Sequence, residues 1–328
     1  MRPFRYVRLI NTTAAARAVA GNANARFLAG GTNLLDLMKE DVERPDEVVD
    51  LTRLKLKAIK PANGGVSIGA LATNSETANN PLIRKNYPLL TQAIVAGASA
   101  QLRNMATNGG NLLQRTRCQY FYDTAMPCNK REPGTGCGAL QGLNRYHAIL
   151  GWSEACVATY PGDMANALYA LDAVVKVTGA NGRERSIAVD EFHRLPGDMP
   201  QKDTNLAHGE IITSIELPRS NFAGNSYYLQ VRDRASYAFA LVAVAAALEL
   251  DGNTIRQARL VLGSVAHKPW RNRDAEAALS GKRVSEESFR AAADIALKDA
   301  KPLEHNAYKV ELAKRAIVRA LMRASKLA

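Results

Sequence analysis

The chain has 328 residues, with 43 lysines and arginines against 31 aspartates and glutamates, which gives a formal net charge of +12 at pH 7. Hydrophobic residues make up 47 % of the chain, an ordinary share that excludes a disordered or fibrous protein and indicates two or three domains. The longest apolar run, 238–248, is shorter than the roughly 18 residues that a membrane-spanning helix needs. Basic residues are dispersed, without the runs or motifs typical of nucleic-acid binding. We therefore expect a globular protein that engages neither nucleic acid nor a membrane.

A βαβ-like unit is predicted in the first fifty residues. Apolar runs at 25–28 and 48–51 indicate strands, and apolar residues with helical spacing at 34–38 indicate a helix between them. The turn at 29–33, with two glycines, lies just before that helix. Glycines let a backbone approach a ligand and the amides of a helix start favour an anion, but the turn lacks the spacing of a dinucleotide-binding or P-loop motif. A tight turn without a ligand therefore stays an open alternative.

Further elements are predicted in chain order up to residue 178. The segment 60–70 is strand-like with a turn at 63–65, and a second glycine-containing turn is predicted at 103–112. The predicted helices are 77–83, 88–97 and 164–171, and a strand is predicted at 173–178.

All four cysteines lie in one stretch of the chain, as Cys118, Cys128, Cys137 and Cys156. Residues 114–138 form a loop-like segment that is longer than the loops of compact domains usually are. We therefore expect the segment to carry a function or to be held by an internal cross-link. The spacings of 10, 9 and 19 residues contain no CxxC pair, which disfavours a zinc ribbon or a thioredoxin-type redox pair. Four basic against two acidic residues in 114–138 favour an anionic iron–sulfur cluster, while structural zinc and unligated thiols remain alternatives.

The last hundred residues predict a separate unit that begins near Gly224. Strand-like runs at 238–250 and 254–264 are joined by 251–253, a strong hairpin signal. Two helices follow, the first with Ser285 as its N-cap. The five histidines of the chain are scattered and no GxSxG motif is present, so we expect a bound cofactor to supply the difficult chemistry.

Five segments in combination resemble the FAD-binding subunits of molybdenum-containing hydroxylases, of the xanthine dehydrogenase and aldehyde oxidoreductase type. They lie at 27–34, 107–111, 162–164, 209–218 and 230–234, so the resemblance covers nearly the whole chain.

The resemblance implies an α+β fold with two domains. A PCMH-type FAD-binding domain over 1–220 would contain subdomains at about 1–60 and 61–220, with a cysteine-bearing insertion at 114–157. The C-terminal domain, 221–328, would be similar to that of carbon monoxide dehydrogenase flavoproteins, a small antiparallel sheet with helices.

The resemblance also implies which residues contact FAD. Residues 27–34 would wrap the pyrophosphate with backbone amides, and the loop at 107–111 would hold the phosphate and ribitol region. Asp163 would hydrogen-bond the adenosine ribose, and Ile212 would pack near the adenine or the flavin. The implied residues are Phe27, Leu28, Ala29, Gly30, Gly31, Thr32, Asn33, Leu34, Thr107, Gly110, Asn111, Asp163, Ile212 and Gln230.

Two positions depart from the family pattern. Gln230 stands where relatives often have a lysine, and Gly97 stands where xanthine dehydrogenases stack a phenylalanine near the flavin. These departures disfavour NAD and favour oxygen or a redox protein as the external electron acceptor.

Within this family, the cysteine-bearing insertion resembles that of bacterial periplasmic aldehyde oxidoreductases, whose flavoprotein subunit holds a [4Fe–4S] cluster. The implied ligands are Cys118, Cys128, Cys137 and Cys156. Asn111 precedes Cys118 by seven positions, and Cys156 precedes Asp163 by seven positions. Each connection therefore spans at most about 25 Å. We therefore expect the cluster to lie close enough to FAD to exchange electrons with it or with the clusters of a partner.

The implied function is electron transfer within a heterotrimer. A molybdenum-cofactor subunit would oxidise an aldehyde, a [2Fe–2S] subunit would pass the electrons on, and this chain would deliver them to the external acceptor. The alternatives are a self-sufficient FAD oxidoreductase and a binding module that carries an iron–sulfur centre or zinc. Because the basic start of the chain is followed at 11–13 by polar residues, where a signal peptide has its apolar core, we expect co-export to the periplasm with a partner subunit. A cytoplasmic location is the alternative.

Overall fold

Residues 1–327, which the computed structural model describes, form three β-sheets with helices packed around them, and this confirms the predicted α+β class. The first sheet is parallel, with the strand order β1-β3-β2, and its strands are β1 (Arg5–Arg8), β2 (Ala25–Leu28) and β3 (Glu47–Asp50). Its helices are α1 (Thr12–Ala20) and α2 (Leu34–Lys39). The predicted βαβ unit is therefore present. The sequence analysis missed β1, whose residues are mostly exposed and show no apolar alternation.

The second sheet is antiparallel and has the order β4-β5-β8-β6-β7. Its strands are β4 (Ile59–Ala62), β5 (Gly65–Gly69), β6 (Val174–Thr178), β7 (Glu184–Ala188) and β8 (Ile211–Leu217). The β4–β5 hairpin turns at 63–64, as predicted, and the strand predicted at 173–178 is β6. Strand β8 inserts between β5 and β6, where Ile215 is paired with Ile68 on one side and with Val175 on the other.

Helices pack against this sheet. They are α3 (Asn74–Asn79), α4 (Pro81–Asn86), α5 (Pro88–Ala96), α6 (Ala100–Met105), α7 (Asn108–Leu112), α9 (Asp163–Ala170) and α10 (Val189–Phe192). The predicted helix 77–83 is interrupted at Asn80, whose side chain accepts from Leu82 N and so caps α4.

The turn predicted at 103–112 is wrong, because this segment forms the second half of α6 and all of α7. Only Ala106 and Thr107 are extended, and the Thr107 side chain caps α7 by accepting from Gly110 N. Gly109 is helical and lies against Ala70, which a Cβ at position 109 would meet at 3.2 Å. The glycines therefore serve close packing of a helix rather than a turn.

The cysteine-bearing segment is largely irregular and contains α8 (Gln119–Tyr122). Its two ends meet where Thr116 Oγ1 donates to Thr159 O at 3.0 Å. Phe121 packs against Leu37 of α2 and against Cys128, whereas Ile149 belongs to the core of the C-terminal sheet. The segment is thus held between the first and the last parts of the chain.

The third sheet is antiparallel, in the order β12-β11-β10-β9, and it is covered by the last helices of the chain. Its elements are β9 (Ser226–Val231), β10 (Val242–Asp251), β11 (Thr254–Gly263), β12 (Trp270–Arg271), α11 (Arg273–Leu279), α12 (Glu286–Ala296) and α13 (Tyr308–Ala324). The predicted hairpin at 251–253 and the Ser285 cap are both confirmed. In the part of the chain that the structure covers, no helix combines the length and apolar character needed to cross a bilayer.

Strand β10 explains the longest apolar run of the sequence. Its side chains alternate between two cores: Ala243 and Ala245 pack with the core that includes α5 and α9, and Val242 and Val244 pack with the C-terminal helices. A strand buried on both faces needs apolar residues at every position. The same strand therefore contributes side chains to both hydrophobic clusters.

Candidate cofactor-binding site

Two cavities meet between the glycine-containing loops. The first has a volume of about 440 Å³ and the second about 310 Å³, and both are lined by Thr32, Asn33 and Gly110. All fourteen residues that the sequence assigns to FAD line one cavity or the other. The second cavity contains Phe27, Leu28, Ala29, Gly30, Gly31, Leu34, Thr107 and Ile212, and the first contains Asn111, Asp163 and Gln230.

The loop 29–33 is fixed by its glycines. Gly31 has a φ of +72°, which is the left-handed region where a side chain is strained. A Cβ on Gly30 would lie 1.9 Å from Met105 O, so only glycine lets this loop touch the end of α6. The two loops are therefore held in contact where the cavities join.

The residues at the start of α2 line the two cavities: Asn33 lines both, Leu34 lines the second, and Asp36 lines the first. The side chain of Asn33, which precedes α2, turns away from the helix and accepts from Arg115 N at 2.8 Å. Amides in the first turn of a helix carry a partial positive charge and bind anions well. The junction therefore suits a phosphate group.

Asp163, the first residue of α9, is a partly buried carboxylate in the first cavity. Tyr228 Oη donates to its Oδ1 at 2.6 Å, and Gln230 Nε2 lies 3.1 Å from each carboxylate oxygen. Burial raises the pKa of Asp163 to about 6, against the opposing effects of these hydrogen bonds and of Arg232. A Cβ at Gly97 would lie 2.8 Å from Asp163 Oδ2, so Gly97 leaves room for the carboxylate.

The rim of the first cavity contains residues that the sequence analysis did not identify. Arg117 lies over the Phe239 ring at 5.3 Å, and Arg103 Nη1 donates to Gly97 O at 2.7 Å. Tyr237 and Phe239 also line the cavity, with 60 % and 52 % of their surface exposed. No motif marks these side chains, because they come from three separate places: the loop after β9, the segment before α8, and α6.

The four cysteines come together around one small cavity. Burial raises the pKa of the Cys118 thiol to about 12 and that of the Cys156 thiol to about 11. Cys118 Sγ lies 3.1 Å from Nε2 of His147, which is buried. Burial and the nearby charge of Lys309 lower the pKa of His147 to about 4. Nevertheless, no group of three or more His, Cys, Asp or Glu side chains within 1–327 is arranged to hold a metal ion.

A single helix separates the cysteine cavity from the first cavity. Arg117, Gln119 and Tyr122 line the first cavity. Cys118 and Tyr120 line the cysteine cavity. Residues 117–122 therefore form a wall that both cavities share.

A partly buried carboxylate, Asp203, whose side chain is 23 % exposed, connects the second cavity with the cysteine cavity. Arg115, which lines the second cavity, places its Nε 2.6 Å from Asp203 Oδ2 and its Nη1 2.5 Å from Glu43 Oε1. Lys130, which lines the cysteine cavity, pairs with Asp203 Oδ1 and donates to Pro200 O at 2.7 Å. Burial opposes ionisation of Asp203, but Lys130 and Arg115 outweigh it and lower its pKa to about 2.

Comparison with known proteins places this architecture in a family. Residues 2–220 match the family described as "FAD binding domain in molybdopterin dehydrogenase", and residues 226–324 match the "CO dehydrogenase flavoprotein C-terminal domain". The chain is 47 % identical over 325 residues, 99 % of each chain, to the aldehyde oxidoreductase FAD-binding subunit PaoB of Escherichia coli K12. It is 30 % identical to the glyceraldehyde dehydrogenase medium chain of Sulfolobus acidocaldarius, over 90 % of this chain and 86 % of that one.

Solved structures agree with these sequence relationships. The carbon monoxide dehydrogenase of Hydrogenophaga pseudoflava contains a chain with a TM-score of 0.78 and 25 % identity, which covers 99 % of this chain and 98 % of that one. Quinoline 2-oxidoreductase of Pseudomonas putida 86 shares the fold, with a TM-score of 0.77 at 24 % identity and coverage of 100 % and 98 %. The chain therefore belongs to the family of FAD-binding subunits of the molybdenum hydroxylases.

Proposed function

We propose that this chain is the FAD- and [4Fe–4S]-containing electron-transfer subunit of a molybdenum-dependent aldehyde oxidoreductase. The observation that carries the proposal is the adjacency of two sites: a pair of joined cavities at the glycine-containing loops, and a small cavity lined by all four cysteines behind the wall 117–122. The similarity to the aldehyde oxidoreductase subunit of E. coli supports the choice of substrate class.

The chemistry of the two cavities suggests how FAD lies across them. The second cavity has apolar walls from Leu37, Leu51 and Ile212, which suit the adenine ring. The amides that start α2 would hold the pyrophosphate. The first cavity, with Asp163 and Gln230, then takes the flavin half. In this arrangement Asp163 lies beside the flavin half of FAD. The resemblance implies a different role, a hydrogen bond from Asp163 to the adenosine ribose.

The same residues would control water and protons at the flavin half. Met164, Ile94 and Leu102 supply apolar wall surface, which keeps the inner end of the cavity dry. Tyr228 and Gln230 donate to Asp163 and hold its carboxylate in one orientation. Bound there, FAD would supply one- and two-electron redox chemistry.

The donor set of the cysteine cavity suits an iron–sulfur cluster better than zinc. One zinc ion holds four thiolates at about 2.3 Å, so its ligands must converge on a single point. Here all four thiols line one cavity together with the basic side chain of Lys130. A cubane is larger than an ion and would be ligated by Cys118, Cys128, Cys137 and Cys156; when bound it supplies one-electron transfer. Lys130, at the cavity wall, offers a positive charge to an anionic cluster.

Partners complete the proposed reaction. A molybdenum-cofactor subunit and a [2Fe–2S] subunit would form a heterotrimer with this chain, and oxygen or a redox protein would take the electrons. Gln230 in place of a lysine, together with Gly97, disfavours NAD. We also propose a periplasmic location reached by co-export with a partner subunit, which cell fractionation would test.

Cofactor analysis of the purified complex tests the proposal. We expect flavin absorption bands, one FAD and about four irons per chain, and less than one zinc. Cys137→Ser should lose the iron and keep the FAD, whereas Ser153→Ala, a change beside Cys156, should keep both. Zinc in place of iron would overturn the cluster, and a colourless protein would overturn the flavoprotein assignment.

Activity measurements separate the electron-transfer role from the self-sufficient oxidoreductase. The complex should oxidise aldehydes with an artificial acceptor, and the isolated chain loaded with FAD should not. Steady aldehyde turnover by the isolated chain would favour the self-sufficient enzyme.

A further inference from the structure

His147 contacts a proposed cluster ligand from outside the cysteine cavity. Its Nε2 lies 3.1 Å from Cys118 Sγ, and its ring is buried with 5 % of the residue exposed. The Tyr120 ring stands 6.1 Å away, centroid to centroid, at a tilt of 50°. The sequence analysis gave this histidine no role, so the contact is a finding of the tertiary structure.

The chemistry of the pair fixes the direction of the hydrogen bond once the sulfur is a ligand. A cysteine that ligates a metal centre is a thiolate and can only accept. A neutral imidazole carries its one N–H on either nitrogen, so Nε2 must carry it to donate to Cys118. Nδ1 is buried and has no hydrogen-bond partner among the described residues. Leaving a lone pair unpaired there costs less free energy than leaving an N–H unpaired, so the proton belongs on Nε2.

The C-terminal part of the chain holds His147 in this position. Asn306 Nδ2 and Lys309 Nζ donate to His147 O, at 3.2 and 3.0 Å. Lys309 Nζ also donates to Ser264 O at 2.6 Å, and both Asn306 and Lys309 are completely buried. The backbone N of His147 donates to Asn144 O at 3.0 Å. The backbone N–H and the backbone C=O of His147 are therefore both hydrogen-bonded. These bonds hold the residue in place and so fix the distance between its imidazole and the sulfur.

We propose that His147 donates a hydrogen bond to the Cys118 thiolate in the loaded protein and thereby raises the reduction potential of the cluster. The inference rests on the proposed function, because it requires that Cys118 is a cluster ligand. A hydrogen bond to a ligand sulfur withdraws electron density and favours the reduced, more negative cluster. His147 is thus a positioning and tuning residue for the centre, with no part in ligation.

Redox titration of the purified complex, followed by electron paramagnetic resonance, tests this role. His147→Phe removes the donor but keeps a ring of similar size, and His147→Gln keeps an N–H near the sulfur. His305→Phe is the matched control, because His305 lies in the same region and its side chain is exposed beside Glu304. We expect reduction of the cluster to become about tenfold less favourable in His147→Phe, a shift of about 59 mV to lower potential for one electron. The glutamine variant should recover most of the shift, and the control should match the wild type.

A measurement on the wild-type complex keeps the inference testable even where a variant loses its cluster. With ¹⁵N-labelled histidine, the reduced cluster should show a weak nitrogen coupling, as expected for an N–H that donates to a ligand sulfur. A strong coupling, typical of direct ligation, or no coupling at all would overturn the inference, as would an unchanged potential in an iron-replete His147→Phe complex. A wild-type complex without iron would instead overturn the proposed cluster itself.

Discussion

Replacement of Asp203 by asparagine should weaken both proposed cofactor sites at once. The carboxylate joins Arg115 at the second cavity to Lys130 at the cysteine cavity. The Lys130 side chain is 1 % exposed, so the loss of its counter-charge leaves a buried ammonium with the Pro200 carbonyl as its remaining hydrogen-bond acceptor. Breaking one side of a buried ion pair typically costs about 3–5 kcal/mol.

The pKa of Asp203 gives a second value for the folding stability that Asp203→Asn should lose. A shift from 3.8 to about 2 corresponds to about 2 kcal/mol of folding stability at neutral pH. Because the pKa of the folded state is the lower one, this contribution is complete above pH ~4 and disappears as the pH falls through about 2. From both values, we expect Asp203→Asn to destabilise the protein by about 3 kcal/mol, or roughly 4 °C in Tm for a chain of 328 residues.

Thermal unfolding at pH 7, together with FAD and iron content per chain, measures the effect. The control is Asp190→Asn, which breaks a partly exposed pair with Arg273 at 2.9 Å and should cost no more than about 1 kcal/mol. FAD and iron should fall together in Asp203→Asn and stay at the wild-type level in the control. A wild-type Tm with full cofactor content in Asp203→Asn would refute the idea that this carboxylate links the two sites.

Three further changes test single contacts. Gly97→Ala should displace Asp163, since the new Cβ would lie 2.8 Å from its Oδ2, and should lower FAD content severalfold; equal FAD retention would contradict this. Gln230→Lys should place an ammonium beside the same carboxylate and move its pKa below about 6, which infrared titration of the Asp163 carboxyl band can follow. Cys128→Ser should lose iron while FAD is retained, because Cys128 lines only the cysteine cavity; parallel loss of FAD would argue against separate sites.

Much of the local structure was predictable because its signals are short-range. The hairpins at 63–64 and 251–253 and the cap at Ser285 depend on a few neighbouring residues, and all three are confirmed. The segment 103–112 misled the prediction for the same reason. Its glycines resemble those of a turn, but they lie in a helix. Gly109 is needed there because the helix packs closely against Ala70, which is distant in the sequence.

The candidate sites divide in the same way. The glycine-containing loops and the clustering of four cysteines could be read from the sequence, and the family resemblance turned them into assignments that stay predictions. Tyr237 and Phe239 at the cavity rim, and the partners of Asp163, could not be found that way. Tyr228 and Gln230 reach Asp163 from β9, about sixty residues away, through a sheet register that no local pattern encodes.

The sequence by itself determined the composition of this protein's sites: which loops are glycine-rich, where the thiols lie, and which family pattern they follow. Only the tertiary structure decided how those pieces are connected. It set Asp203 between Arg115 and Lys130, and it brought His147 within 3.1 Å of the Cys118 sulfur. The physical reason is that buried charges and ligand hydrogen bonds depend on distances between chain segments, which become defined only when three sheets and their helices pack into a shared core.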